Sequence, residues 1–153
     1  MQRKALEKLM TWKASPGRKP LLVKGARQVG KTWLLKEFGK TAFRNTVYID
    51  FYNNERARRL FEGDLDPRRI IEEMQFLSGE TITGETLIIF DEIQECGRAL
   101  NSLKYFYQDA PEYHVAAAGS YLGIALHPND SFPVGKTDGI TLYPRPSPNF
   151  WMP

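Results

Sequence analysis

Eight residues near the N-terminus restrict the fold of this chain more than any other feature. They match the pattern G-x-x-x-x-G-K-[ST] in full and read Gly25, Ala26, Arg27, Gln28, Val29, Gly30, Lys31 and Thr32. Glycines let such a loop curl so that successive backbone N–H groups point inward at phosphate oxygens. A helix that starts at the end of the loop adds the positive end of its dipole. The motif therefore predicts a strand–loop–helix unit that binds nucleotide phosphates.

Two side chains of the motif have expected roles of their own. The ammonium group of Lys31 reaches the β- and γ-phosphates and offsets the charge that develops there, and the hydroxyl of Thr32 is a Mg²⁺ ligand. Further along, four apolar residues at 87–90 are followed by Asp91 and Glu92. A buried strand of this kind delivers a carboxylate at its C-terminal end, where Asp91 is expected to hold Mg²⁺. Glu92 is then placed to polarise the attacking water as a general base.

A third polar position follows another apolar segment. Residues 113–120 read as a strand that ends in Gly119 and Ser120. A polar side chain at the tip of a strand beside the phosphate loop can hydrogen-bond the γ-phosphate or the attacking water. The alternative is a small residue that caps the next element. Cys96 has no histidine at a useful spacing and is predicted to be a packed thiol.

The order of the segments predicts the fold class. Strands are expected at 20–25, 45–51, 86–91, 113–120 and 139–143, and helices at 3–13, 31–38, 55–61, 67–77 and 98–108. Alternation of this kind is typical of an α/β fold with a parallel sheet covered on both faces. The first helix is expected to place Leu6, Leu9, Met10 and Lys13 on one side, and the second to end near Gly39. Residues 1–143 are taken as one domain, and residues 144–153, with four prolines, as an extended tail.

Charge is distributed unevenly along the chain. Residues 1–44 contain 12 Lys and Arg against 2 Asp and Glu, whereas residues 45–113 contain 7 against 14. A basic first third suits a polyanion, either a nucleoside triphosphate or a nucleic acid, and the alternative is a solvated basic face. Because no apolar run approaches ~20 residues and the chain has a single cysteine, we expect no membrane span and a cytoplasmic location.

Together these stretches resemble the bacterial and archaeal AAA-type ATPases that pair an N-terminal ATPase domain with a C-terminal domain of unknown function. The resemblance rests on the stretches 19–32, 86–95, 103–106, 117–123 and 131–136 and extends over roughly residues 3–143. It implies a three-layer α/β/α P-loop domain, with a mainly parallel sheet of about five strands and an extra strand between the P-loop strand and the Asp91 strand. It also implies ATP and Mg²⁺ as ligands, Ser120 as the sensor residue, and self-association as in such ATPases.

The end of the chain departs from this family. After residues 142–144 the family continues into further helices and a second domain, whereas residues 145–153 here follow a different, proline-rich course. The expectation is a truncated gene product, a frameshifted end or an ATPase core alone. Three functions are therefore open: ATP binding with hydrolysis, a nucleic-acid-associated P-loop module, and a truncated core that binds nucleotide without productive turnover.

Overall fold

Five parallel strands form one sheet in the computed structural model, which describes residues 2–25, 30–120 and 135–142. The strands are β1 (Leu21–Gly25), β2 (Asn45–Asp50), β3 (Thr86–Asp91), β4 (His114–Gly119) and β5 (Asp138–Leu142). The α-helices of the described part are α1 (Gln2–Ala14), α2 (Lys31–Ala42), α3 (Glu55–Arg59), α4 (Pro67–Ser78) and α5 (Gly97–Asp109), and a short 3₁₀ helix spans Ile93–Glu95. None of these helices is long and apolar enough to cross a membrane. The predicted tail at 144–153 lies outside the described residues.

The strand order is β2-β3-β4-β1-β5, and every neighbouring pair is parallel. β4 therefore lies between β1, which leads into the phosphate-loop motif, and β3, which ends in Asp91. This arrangement confirms the predicted extra strand and the α/β class. Each predicted strand end falls within one residue of the observed end, because glycines, prolines and polar residues bound the apolar runs on both sides.

Two apolar clusters, one on each face of the sheet, make the fold three-layered. One cluster packs Val47, Ile88, Phe90 and Val115 against α4 and α5, and the other packs Leu21, Val23, Ile89 and Ala116 against α1 and α2. Neighbouring residues of a strand thus point to opposite faces. All six residues of β3 and of β4 are buried, as expected for central strands covered on both sides.

The buried face of α1 differs from the prediction. Ala5, Leu9 and Trp12 are buried at i, i+4 and i+7, whereas Met10 is 49% exposed. The Trp12 ring packs on Phe38 of α2 with 6.2 Å between ring centroids, and its Nε1 donates to the Lys19 carbonyl over 2.7 Å. The prediction that Met10 shares a side with Leu9 was wrong because the large tryptophan, with a backbone partner for its N–H group, sets the rotation of the helix.

The end of α2 is also not where it was predicted. The helix continues through Gly39 to Ala42. Gly39 is buried, and a Cβ built on it would overlap the Thr46 hydroxyl of β2 and lie 3.3 Å from Leu87 of β3. The glycine is therefore a point of close approach between α2 and the sheet, and not a stop signal.

Candidate functional site

The carboxyl end of β1 and the start of α2 flank the phosphate-loop motif. Gly25 is the last residue of β1, and Gly30 precedes α2 with φ of 86°, a left-handed conformation that glycine adopts without steric cost. The Lys31 ammonium donates to the Gly25 carbonyl over 3.0 Å, so this side chain folds back toward the end of β1. The positions predicted for Ala26, Arg27, Gln28 and Val29 lie outside the described residues.

The first turn of α2 reaches the end of β3. The Thr32 hydroxyl donates to Oδ2 of Asp91 over 2.6 Å, and Asp91 is only 5% exposed. The Oδ1 atom of Asp91 accepts the backbone N–H of Glu92 over 2.9 Å. Two residues that lie 59 positions apart in the sequence, both predicted to hold Mg²⁺, are therefore in direct contact.

A tyrosine that the sequence reading did not single out completes the surroundings of Asp91. The Tyr48 hydroxyl donates to the same Oδ2 atom over 2.5 Å. Burial raises the pKa of the Tyr48 phenol above its usual value, and the hydrogen bond to Asp91 and the negative charges of Asp91, Asp50 and Glu92 raise it further. Tyr48 is therefore neutral and able to donate at any physiological pH.

The register of the sheet explains why Tyr48 reaches this carboxylate. In the β2–β3 pair Tyr48 is opposite Ile89 and Asp50 is opposite Asp91. The Tyr48 side chain lies on the α2 face of the sheet, where the Lys36 ammonium is 4.0 Å from the centre of its ring. The sequence carries only a weak signal for this role, namely an aromatic residue with a hydroxyl group two positions before the end of a strand. That signal becomes informative only when β2 is known to be the neighbour of β3.

Glu92 lies in a tight turn directly after β3. Its backbone is left-handed, with φ 52° and ψ 47°, which is uncommon for a residue other than glycine and is often found at functional sites. The side-chain amide of Gln94 donates to Glu92 Oε1 over 2.7 Å. Gln94 is only 7% exposed, and its own Oε1 has no hydrogen-bond partner among the described residues. Gln94 was not among the predicted site residues because only the turn brings it beside Glu92.

Ser120 follows the last residue of β4. Gly119 is opposite Lys24 of β1 in the sheet register, so Ser120 lies at the edge where β1 leads into the phosphate-loop motif. The predicted site residues that are described, from Gly25 to Ser120, thus share the carboxyl edge of the sheet, where α/β proteins bind ligands. Cys96 lies beyond the Glu92 turn and is buried, as predicted for a packed thiol, and burial raises its pKa.

The donor set at this edge fits a magnesium ion that is bound together with phosphates. No group of three or more His, Cys, Asp and Glu residues in the described ranges could hold a metal ion without other ligands. Mg²⁺ differs from metals that need such a cage, since it is usually held by one or two protein oxygens together with waters and substrate phosphates. The Asp91 carboxylate and the Thr32 hydroxyl supply oxygen ligands of the required chemistry.

Comparisons with known proteins agree with this geometry. A family model described as an AAA domain matches residues 17–149, and no curated protein matches the chain. Among solved structures, PCH-2 of C. elegans is similar over 94% of this chain and 43% of that protein, with 14% identity and a TM-score of 0.56. The Aeropyrum pernix ORC1 protein in complex with DNA is similar over 95% and 44%, with 17% identity and a TM-score of 0.55. AMPPCP-bound DnaA from Aquifex aeolicus is similar over 95% and 46%, with 18% identity and a TM-score of 0.56.

These similarities to solved structures concern the fold, because the identities are low. The chain spans less than half the length of each of the three proteins.

Proposed function

Because this chain belongs to the AAA domain family and has its P-loop nucleotide-binding ATPase fold, we propose that it binds ATP with Mg²⁺ at the carboxyl edge of the sheet and hydrolyses it. The 2.6 Å contact between the half-buried Thr32 and the buried Asp91 supports this proposal most directly. It joins Thr32, which follows the motif lysine, to the carboxylate of Asp91 at the end of β3. The P-loop ATPase reaction needs these two oxygen ligands side by side.

Each residue at the edge has a role in the proposed reaction. Backbone N–H groups of the motif and the start of α2 bind the phosphates, and the Lys31 ammonium offsets the charge of the β- and γ-phosphates. Thr32 and Asp91 hold Mg²⁺, which when bound neutralises charge on the same phosphates. Glu92 accepts a proton from the attacking water, and Ser120 hydrogen-bonds the γ-phosphate or that water.

Binding is tested by calorimetric titration of wild-type protein and the Lys31→Ala variant with Mg·ATP. Hydrogen bonds to charged groups contribute about 1.5–3 kcal/mol, so we expect Lys31→Ala to weaken binding by about 10- to 100-fold. Lys40→Ala is the matched control, because it removes the same charge from the last turn of the same helix. Equal affinity for wild type and Lys31→Ala would refute the binding site.

Hydrolysis is tested separately with Glu92→Gln, which keeps the size of the side chain and its ability to pair with Gln94. A general base contributes about 10²- to 10⁴-fold to a rate. We therefore expect ATP affinity close to wild type and a hydrolysis rate reduced by at least about 100-fold. A wild-type protein that binds Mg·ATP but releases no phosphate would contradict the hydrolytic part of the proposal alone.

A further inference from the structure

Two hydroxyl groups from different elements donate to the same oxygen of Asp91. Thr32 approaches Oδ2 from α2 and Tyr48 approaches it from β2, at 2.6 and 2.5 Å. With the Glu92 N–H on Oδ1, the buried carboxylate accepts three hydrogen bonds from three directions. Its plane and position are therefore fixed before any ligand binds.

The direction of these hydrogen bonds leaves the Thr32 oxygen available for a cation. Its hydroxyl hydrogen is directed at Asp91, so the oxygen lone pairs are directed elsewhere, as metal coordination requires. Oδ1 of Asp91 accepts the Glu92 N–H within the described residues and retains lone-pair capacity for a metal-bound water. The Tyr48 oxygen differs from the Thr32 oxygen, because it is not expected to bind a phosphate or a cation.

From this geometry we propose that Tyr48 is a positioning residue for the divalent cation. It fixes the Asp91 carboxylate so that Asp91 and Thr32 form a preset cation site. The inference rests on the proposed ATP and Mg²⁺ function and goes beyond it, since Tyr48 does not belong to either sequence motif. Outer partners that orient metal-ligating carboxylates commonly contribute about 10- to 100-fold to metal affinity.

The ring of Tyr48 is itself held in place by a residue of α2. The Lys36 ammonium lies over its ring at 4.0 Å, a cation–π geometry that is attractive at this distance. Lys36 is one helical turn beyond Thr32 on α2. The same helix therefore supplies one ligand of the proposed cation site and the contact that orients the positioning tyrosine.

A merely structural tyrosine would fill the space between β2 and α2 without affecting the cation. Tyr48→Phe separates these roles because it keeps the ring, the packing and the contact with Lys36 and removes only the hydroxyl group. Tyr105→Phe is the matched control. Tyr105 lies on α5 beside Arg98 and Asn101, on a different surface of the domain, and no hydrogen bond of its hydroxyl is found within the described ranges.

The experiment measures the affinity of a non-hydrolysable ATP analogue by calorimetry at a series of Mg²⁺ concentrations and in excess EDTA. For Tyr48→Phe we expect the Mg²⁺ concentration that gives half of the metal-dependent gain in affinity to rise about tenfold. The affinity in EDTA should equal that of wild type, because Tyr48 acts on the cation and not on the phosphates. Electron paramagnetic resonance of free Mn²⁺ gives a second readout, and the variant should leave more Mn²⁺ free at the same nucleotide concentration.

Superimposable Mg²⁺ curves for wild type and Tyr48→Phe would overturn the positioning role, as would tighter Mg²⁺ binding by the variant. An equal loss of affinity with Mg²⁺ and in EDTA would also overturn it, because that pattern indicates a general structural defect. A wild-type protein with no metal-dependent gain in affinity would refute the proposed function and this inference with it. A wild-type gain that Tyr48→Phe leaves unchanged would refute only the inference.

Discussion

Gly39 provides a direct test of how α2 is seated on the sheet. Alanine in the middle of a helix is normally more stable than glycine by about 1 kcal/mol, so a helix without constraints would gain stability from Gly39→Ala. Here the new Cβ would overlap the Thr46 hydroxyl and would lie 3.2 Å from Thr46 Cγ2 and 3.3 Å from Leu87 Cδ2. The two effects oppose each other, and the overlap decides the sign.

The magnitude follows from these contacts. Adding a methyl group to a packed interior costs about 1–3 kcal/mol. Subtracting the gain in helix propensity of about 1 kcal/mol leaves Gly39→Ala about 1 kcal/mol less stable than wild type. Thr46→Ala removes both of the nearest Thr46 atoms. Of the three nearest atoms only Leu87 Cδ2 then remains, and in that background Gly39→Ala should stabilise the protein by about 1 kcal/mol.

Urea unfolding followed by far-ultraviolet circular dichroism measures all four proteins of this cycle. We expect a coupling of about 2 kcal/mol between positions 39 and 46, within the range found for residues in contact. Gly17→Ala is the control, since a Cβ there meets no atom within 4 Å. A Gly39→Ala variant that is more stable than wild type, or a cycle with no coupling, would refute the close approach.

Two further predictions concern single side chains. In the folded protein the pKa of His114 is lowered from 6.5 to about 4, mainly by burial and further by the charges of Arg18 and Lys13. A backbone hydrogen bond at Gly84 acts in the opposite direction and raises this pKa. As the pH falls, the unfolded chain therefore binds this proton before the folded protein does. The free energy of unfolding, measured by urea titration, should fall by about 2 kcal/mol between pH 7.5 and pH 5.0. His114→Phe, which keeps a ring against Trp12, should remove this share of the pH dependence. Gln94→Met removes the 2.7 Å hydrogen bond to Glu92. It should lower kcat for ATP hydrolysis about tenfold with little change in ATP affinity. An unchanged kcat would show that Gln94 does not orient Glu92.

Local patterns predicted the strands well. A short apolar run that is bounded by turn or polar residues is consistent with a buried strand, and β3 was predicted with both ends correct. The contact between Thr32 and Asp91 was also predictable, because the carboxyl ends of parallel strands converge on one edge. Neither inference needed the order of the strands.

The errors and omissions depended on which elements are neighbours. Helical spacing placed Met10 on one side with Leu6 and Leu9, and only the packing partner Phe38 selects the stripe that contains Trp12. Gly39 was read as a helix end because glycine commonly ends helices, whereas its role here depends on Thr46. Tyr48 was not selected because its partner belongs to a strand that the sequence does not mark as adjacent.

The strand order gives α2 a particular function in this fold. β1 and β3 are separated by β4, so the phosphate-loop motif and Asp91 cannot meet through strand pairing. The 12 residues of α2 extend about 18 Å, enough to cross the three strand spacings of about 4.8 Å each between β1 and β2. Thr32 at its start contacts β3, and Gly39 near its end touches β2 and β3. Because α2 is held at both ends, a change at Gly39 that lifts the helix should weaken the proposed Mg²⁺-dependent nucleotide binding at Thr32, seven residues away.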